Sequence, residues 1–339
     1  MFRENLNQIV NGRNLSQDQM SAMINEIFSG NITDAQIGAF MAALATKGET
    51  FEELAGAARA MRRNAVRIQS AASTVVDTCG TGGDGAKTFN ISTTTAFVVA
   101  GCGLTVAKHG NRSVSSQCGS ADLLEVMGVK LDTDPEIVEE AVQEIGIGFL
   151  FAPLYHGAMR FAAKARKEVG LRSIFNMLGP LTNPASANCQ LLGVYAPELT
   201  EMFASALKLL GTKNAFVVHG HDGLDEISVC APTRVCELKS GTLRTYDIQP
   251  EQYFNNLADA GSLSGGTPDE NAKITQKILN NQIDGPPRNV VLINSAAALV
   301  ASEKVSDLKA GIEMAAQAID TGAAAAKLKE LIQYTQENG

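Results

Sequence analysis

Residues 77–120, DTCGTGGDGAKTFNISTTTAFVVAGCGLTVAKHGNRSVSSQCGS, constrain the fold of this chain more than any other stretch. The apolar, β-branched residues 73–76 predict a strand that leads into a glycine-dense turn over residues 80–85. Asn90-Ile91-Ser92-Thr93-Thr94 follows, in which Ser92 or Thr93 can cap the helix that residues 95–100 continue. A second apolar run, residues 104–107, ends in Lys108-His109-Gly110-Asn111-Arg112 and a serine cluster of Ser113, Ser115, Ser116 and Ser120. The pattern is one βαβ unit with two polar loops at the carboxyl ends of its strands. Open α/β sheets bind their ligands there.

The loop chemistry suits a phosphate-rich ligand. Glycines let backbone N–H groups approach an anion closely, and a helix N-terminus adds partial positive charge. Lys108 and Arg112 supply charge; Asn111 and the serines supply neutral donors. Gly80-x-Gly82-x-x-Gly85 fits the dinucleotide fingerprint, but that motif needs an acid after its second strand, and none stands between Asp84 and Asp122. Residues 80–88 also approach the P-loop pattern, with Ala86 where its lysine belongs. Both readings fail on position.

A net charge of -8 on 339 residues argues against nucleic acid as a main partner and makes the local Lys108–Arg112 cluster stand out. The six cysteines have neither a C-x-x-C pair nor regular spacing, which predicts reduced thiols in a cytosolic protein. No basic-then-apolar leader and no apolar run of membrane-spanning length is evident, so a cytoplasmic location without a membrane partner is expected.

Residues 1–70 have no strand signal. Helix starts are read at Ser16, Thr33 and Thr50, each followed by apolar residues at helical spacing, within a domain of roughly four helices. Its apolar stripes are wide for its size and need a partner surface, either the rest of the chain or a second copy. From Ser73 onward strands and helices alternate, which predicts an α/β domain with a mostly parallel central sheet flanked by helices. Strands are expected at 128–131, 148–152, 190–195 and 214–219, and a small antiparallel meander at 226–229, 234–238 and 243–246 with its turn at Ser240-Gly241. Helices are expected at 135–145, 155–168 (carrying His156 and Arg166), 197–210 and 272–280, with two more over 308–336. Residues 290–293 read as a short strand or as a lead into a helix over 295–301. The chain thus divides into 1–70 and 71–339, a segment around 166–188 packing with the helical part.

GTGGDG, NIST and KHGNR with SVSS closely resemble the anthranilate phosphoribosyltransferase family. The likeness continues in Arg166-Lys167-Glu168, in Arg172-Ser173-Ile174-Phe175-Asn176 with LGPLTNP at 178–184, and in Gly223-Leu224-Asp225-Glu226-Ile227. It implies the nucleoside phosphorylase/phosphoribosyltransferase type of fold. The implied reaction is transfer of the phosphoribosyl group of 5-phospho-α-D-ribose 1-diphosphate to the amine of anthranilate, in tryptophan biosynthesis. A homodimer through the helical domain is implied as well.

The resemblance assigns phosphoribosyl diphosphate to Gly80, Gly83, Asp84, Thr88, Asn90, Ile91, Ser92, Thr93, Lys108, His109, Gly110, Asn111, Arg112, Ser113, Val114, Ser115, Ser116 and Ser120. Lys108 would act electrostatically, and no acid–base residue is needed because an aryl amine is already neutral. Asp84 orders the loop, holds a metal-bound water, or is a plain turn residue. Asp225 and Glu226, with the Ser92 hydroxyl, would hold Mg²⁺. Anthranilate is assigned to Gly80, Asn111 and Arg166, whose planar fork suits a carboxylate, with His156 and Pro180 as weaker candidates. His109 is a neutral donor to either substrate or a packed loop histidine. His219-Gly220-His221 hints at a metal pair but has no third ligand nearby.

This chain departs from the family pattern where Gln117-Cys118 replaces Lys-Ser, leaving side chain 117 without an assigned phosphate contact, and where His156-Gly157 replaces His-Pro. Two rivals stand beside this reading. A pyrimidine nucleoside phosphorylase-like enzyme would need an added C-terminal domain and a different lysine–serine loop. A non-catalytic phosphoribosyl-ligand-binding relative would not need the full set of Lys108, Asn111, Arg166, Asp225 and Glu226.

Overall fold

Three of the four N-terminal helices start on reciprocal side-chain caps. A computed structural model, which describes residues 1–113 and 117–339, places them at α1 (Phe2–Val10), α2 (Gln17–Phe28), α3 (Asp34–Lys47) and α4 (Phe51–Arg63). Ser16 with Gln19, Thr33 with Gln36 and Thr50 with Glu53 each form a capping box, so two otherwise orphaned N–H groups are satisfied at each start. Glu53 does more than cap. Fully buried, it accepts Leu15 N at 2.8 Å, and Thr50 N and Lys47 Nζ at 2.9 Å. One carboxylate therefore ties the α1–α2 link to the α3–α4 link.

The apolar faces of these helices are covered by the chain itself. Met23, Ile27, Phe40 and Leu44 share a core with Ala162, Ala165, Phe175, Phe203 and Leu207. Phe40 meets Phe175 edge-on, with ring centroids 6.4 Å apart. The wide stripes are thus explained without a second copy.

The strands are β1 (Val75–Gly80), β2 (Thr105–Gly110), β3 (Ile147–Phe151), β4 (Cys189–Gly193), β5 (Asn214–Gly220), β6 (Thr233–Lys239) and β7 (Thr242–Ile248). Among the described residues they form one sheet in the order β3-β2-β1-β4-β5-β6-β7. The first five are parallel, and β6 and β7 continue the sheet as an antiparallel hairpin. Its two turn residues, Ser240 and Gly241, have φ of 47° and 81°, the positive values that match the strand twist. The chain runs outward from β1 through β2 to β3, then returns to lay β4 on β1's other side. The order therefore reverses between β1 and β4, and an open sheet has its crevice there.

Four expectations are corrected by where backbone groups find partners. Residues 226–229 are a loop, because Asn294 pairs both the N–H and the C=O of Ile227, and Thr233 Oγ1 accepts Ser228 N. Residues 128–131 form no strand: Gly128 turns at φ 97°, and Lys130 N donates to Thr335 Oγ1 of the last helix. Residues 290–293 lie inside the buried Pro286–Ala301 helix, whose length decides a local pattern that was ambiguous. The helix expected over 155–168 is broken at His156, giving Ala152–Tyr155, a 3₁₀ turn over Gly157–Met159, and Arg160–Val169.

Candidate active site

The helix after the glycine loop, α5 (Ile91–Gly101), begins without a side-chain cap. Neither Ser92 nor Thr93 caps it, and the Thr93 hydroxyl is buried without a partner among the described residues. Asn90 stands at the N-cap position but turns its amide aside, donating to the Cys118 carbonyl and accepting from Cys118 Sγ and Asn271 Nδ2. The departure at residue 118 is thus built into the support of the loop.

Two glycines let the acidic loop reach the sheet. A Cβ at Gly193 would overlap the Asp225 carbonyl, and a Cβ at Gly80 would press on its carboxylate. Asp225 Oδ2 in turn accepts Gly82 N at 3.0 Å, and Asp225 N faces Asp84 Oδ2 at 3.4 Å. Carboxylate oxygens of Asp84, Asp225 and Glu226 consequently lie within 4.8 Å of one another. Burial, then the Asp84 charge, pushes Asp225 up to about 7. Burial, then the Asp225 charge, pushes Glu226 well above the usual carboxylate range, and its Oε2 is buried without a partner among the described residues. Three converging carboxylates with an orphaned buried oxygen form a hard-oxygen donor set that fits Mg²⁺. Asp84, first read as a loop or water-holding residue, belongs to this cluster.

Lys108, on β2, is buried, and its ammonium donates to the Thr78 carbonyl of β1. Burial lowers its pKa, opposed by Asp77, Cys79 and Glu226. Beneath it Asp77 accepts His109 N at 3.2 Å and Asn183 Nδ2 at 2.8 Å, and Asn183 also donates to the Ala107 carbonyl. Asp77 and Asn183 therefore lock β1, β2 and residues 178–184 into one unit. Neither was singled out from sequence, although an acid inside an apolar strand was the available sign.

His109 is packed between two partners. Its Nδ1 lies 3.0 Å from the Gly179 carbonyl oxygen, and its Nε2 lies 3.2 Å from His156 Nε2. A carbonyl only accepts, so His109 Nδ1 carries the proton and His156 Nε2 donates to His109 Nε2. His156 Nδ1 is then a buried acceptor without a partner among the described residues. Burial lowers both imidazoles, His156 to about 3 with His109 as the second cause. Pro180 stands next to Gly179, and its carbonyl accepts Gln190 Nε2.

Arg166 is half-buried, with its guanidinium 5.7 Å from the Phe175 ring centroid. Burial lowers its pKa. Arg112 is different. It grips Glu125 with two hydrogen bonds of 2.7 and 2.8 Å and reaches Asp122 at 3.1 Å, so its charge is committed away from the acidic cluster. Asp122 also accepts Ser113 N and Gly119 N, and Ser120 Oγ donates to the Asn111 carbonyl, which shapes that loop. A side chain at Gly110 would strike the Phe149 ring. Thr88 bridges to Ser264 at the far end of the glycine loop. Ser92 lends its carbonyl to Thr78 Oγ1. The calls on Val114, Ser115 and Ser116 lie outside the described residues.

His219 and His221 do not form a metal pair: the first bonds the Val194 carbonyl through Nδ1, and the second faces Asp247 at 3.5 Å. Arg172, unassigned from sequence, donates to the Gly83 carbonyl at 3.0 Å.

Residues 3–65 match the glycosyl transferase family helical bundle domain, and residues 72–325 match the glycosyl transferase family a/b domain. Anthranilate phosphoribosyltransferases of Desulfosudis oleivorans and Desulfatibacillum aliphaticivorans are 68% and 66% identical to the chain, each over the full length of both proteins. The Thermus thermophilus anthranilate phosphoribosyltransferase structure superposes with a TM-score of 0.92 at 38% identity, covering 98% of this chain and 99% of that one. The Saccharomyces cerevisiae enzyme in complex with PRPP and Mg does so with a TM-score of 0.90 at 28% identity, covering 99% and 98%.

Proposed function

The chain belongs to the anthranilate phosphoribosyltransferases of the glycosyl transferase family, and from that membership we propose how its residues share the reaction. It transfers the phosphoribosyl group of 5-phospho-α-D-ribose 1-diphosphate to the amine of anthranilate, giving N-(5-phosphoribosyl)anthranilate and diphosphate, in tryptophan biosynthesis.

The observation that carries the residue assignments is the meeting of the glycine loop with Asp84, Asp225 and Glu226 at the sheet's reversal point. The uncapped start of α5 offers N–H donors to the diphosphate beside residues 80–93, and Lys108 supplies a buried positive charge next to them. Asp225 and Glu226, joined by Asp84 and the Ser92 hydroxyl, would hold Mg²⁺, as a yeast relative's Mg complex encourages. When bound, the cation offsets the charge that gathers on the departing diphosphate. Arg166 takes the anthranilate carboxylate, with Gly80 and Asn111 lining the same space and His156 and Pro180 at its edge. The anomeric carbon becomes cation-like as diphosphate leaves, and the neutral aryl amine attacks it without a protein base. The protein's work is positioning and electrostatics.

We place the division of the chain near residue 70, and the site between the two parts. We also assign the protein to a cytoplasmic homodimer joined through the helical part. Met1, Val10, Phe51 and Val66 are the exposed large apolar side chains of that part among the described residues, and no described helix of the chain is long and apolar enough to cross a membrane. Light scattering that finds a monomer at micromolar concentration would refute the dimer. The assignment of the site is tested by following anthranilate fluorescence with phosphoribosyl diphosphate while Mg²⁺ is titrated. Asp225→Asn with Glu226→Gln should need more Mg²⁺ and turn over more slowly. An unchanged Mg²⁺ dependence would remove the pair from the metal site.

A further inference from the structure

The glycine loop carries three flexible positions within four residues, with φ of 63° at Gly82, 75° at Gly83 and 75° at Gly85 around Asp84. Peptides flanked by such residues flip easily, so a useful donor array needs something to choose their orientation. The first part of the loop is pinned to the sheet. Thr81 N donates to the Gly193 carbonyl at 2.9 Å, Tyr195 N donates to Thr81 Oγ1 at 3.1 Å, and Gly82 N donates to Asp225.

The Gly83–Asp84 peptide is held from outside the sheet. Arg172 Nη2 donates to the Gly83 carbonyl at 3.0 Å. The same guanidinium lies 3.8 Å from the centroid of the Tyr195 ring, within stacking range. A Cβ at Gly83 would overlap Arg172 Nη2, so the close approach requires glycine. Because a trans peptide is planar, a Gly83 carbonyl aimed at Arg172 turns the Asp84 N–H to the opposite side. Arg172 thereby selects one of the two orientations of the Gly83–Asp84 peptide. It stands two residues beyond Gly170, the left-handed end of the helix that carries Arg166.

We propose that Arg172, stacked on Tyr195, is a positioning residue that latches the Gly83–Asp84 peptide in the orientation the glycine loop uses to receive phosphoribosyl diphosphate. The proposal rests on the assignment of that loop to this substrate. Arg172 acts through the loop, and its loss acts on substrate capture and leaves the later chemistry alone.

The test is steady-state kinetics at saturating Mg²⁺. Arg172→Ala is expected to raise the KM for phosphoribosyl diphosphate about tenfold, the usual weight of one charge-assisted hydrogen bond, with kcat and the anthranilate KM unchanged. Arg172→Lys keeps the charge but not the planar fork, so it should resemble the alanine variant. Tyr195→Phe keeps the ring and should hold the wild-type KM; Tyr195→Leu should raise it. Combining Tyr195→Leu with Arg172→Ala should add little to Arg172→Ala alone, because both remove one latch. Arg172 is exposed, so melting temperatures of its variants should match wild type. A wild-type KM in Arg172→Ala, full recovery by lysine, or additive losses would each overturn the latch. Gly83→Ala separates this failure from failure of the loop assignment. If it raises the KM while Arg172→Ala does not, only the latch is wrong; if it leaves the KM unchanged, the loop does not hold this substrate.

Discussion

Glu53 and Glu226 are both glutamates withdrawn from water, and they are treated in opposite ways. Glu53 sits in the helical part with every need met: two backbone N–H groups and the Lys47 ammonium surround it. Glu226 sits at the sheet's crevice beside two more carboxylates, with one oxygen orphaned. Burying a charge is costly unless it is paired and hydrogen-bonded. The first site meets that condition within the chain. The second leaves the condition to be met by something the chain must bind. A satisfied buried charge reads as architecture, and an unsatisfied cluster of like charges reads as a site.

The largest effect is expected where the satisfied pair is broken. Glu53→Ala would leave the Lys47 ammonium with only the neutral acceptors Asn14 Oδ1 and the Gly48 carbonyl, and two N–H groups without their acceptor, costing about 3–5 kcal/mol by denaturant unfolding. Activity per folded molecule should be unchanged. A loss within experimental error would erase the contrast from the structural side. From the other side, Asp225→Asn with Glu226→Gln should cut turnover by about a hundredfold, the scale of removing a designed electrostatic contact. The same change should stabilise the metal-free protein by about 1–3 kcal/mol at pH 8, since it relieves buried repulsion. Destabilisation there would show that the carboxylates support the fold.

Smaller effects sharpen the comparison. Arg166→Ala should raise the anthranilate KM about ten- to a hundredfold, or roughly 1.5–3 kcal/mol, and leave phosphoribosyl diphosphate binding nearly unchanged. An unaltered anthranilate KM would remove Arg166 from the site. The His109–His156 pair gives a signed pH dependence. Folding holds His156 neutral down to about 3, against an ordinary value of 6.5. The unfolded chain therefore takes up a proton first, and this contribution is present above 6.5 and fades as pH falls through that interval. His156→Gln should flatten that part of the stability profile, and an identical profile would place His156 elsewhere.

The elements legible in the sequence were those whose signal is local. Ser16, Thr33 and Thr50 cap their helices through residues three positions on, and Ser240-Gly241 sets its hairpin by backbone preference alone. Where the reading failed, a distant residue had decided. Residues 226–229 look like a strand until Asn294, far along the chain, claims the backbone of Ile227. The wide stripes of the helical part called for a partner surface, left open between the rest of the chain and a second copy, and Phe175 and Phe203 from later in the chain cover them. In the site, residue types in the glycine and acidic motifs were visible at once. Their meeting was not, since it depends on Gly80 and Gly193 ending neighbouring strands. The pairing of Arg112 with Glu125 and Asp122 was hidden for the same reason, since the fold of its loop sets it.

The contrast between the two glutamates comes down to whether the acidic cluster is built to hold a cation. Thermal unfolding of the metal-free protein, without substrates, measured against Mg²⁺ at several pH values, asks this directly. Asp225 is held up to about 7, so protons compete with metal below that value and Mg²⁺ affinity should strengthen as pH rises through it. At ten times its dissociation constant, Mg²⁺ should add about 1.4 kcal/mol to the wild-type protein. Asp225→Asn with Glu226→Gln should show no such gain at any pH. An equal gain in that variant, or a wild-type gain indifferent to pH across 6 to 8 (roughly the interval in which Asp225 titrates), would contradict the account.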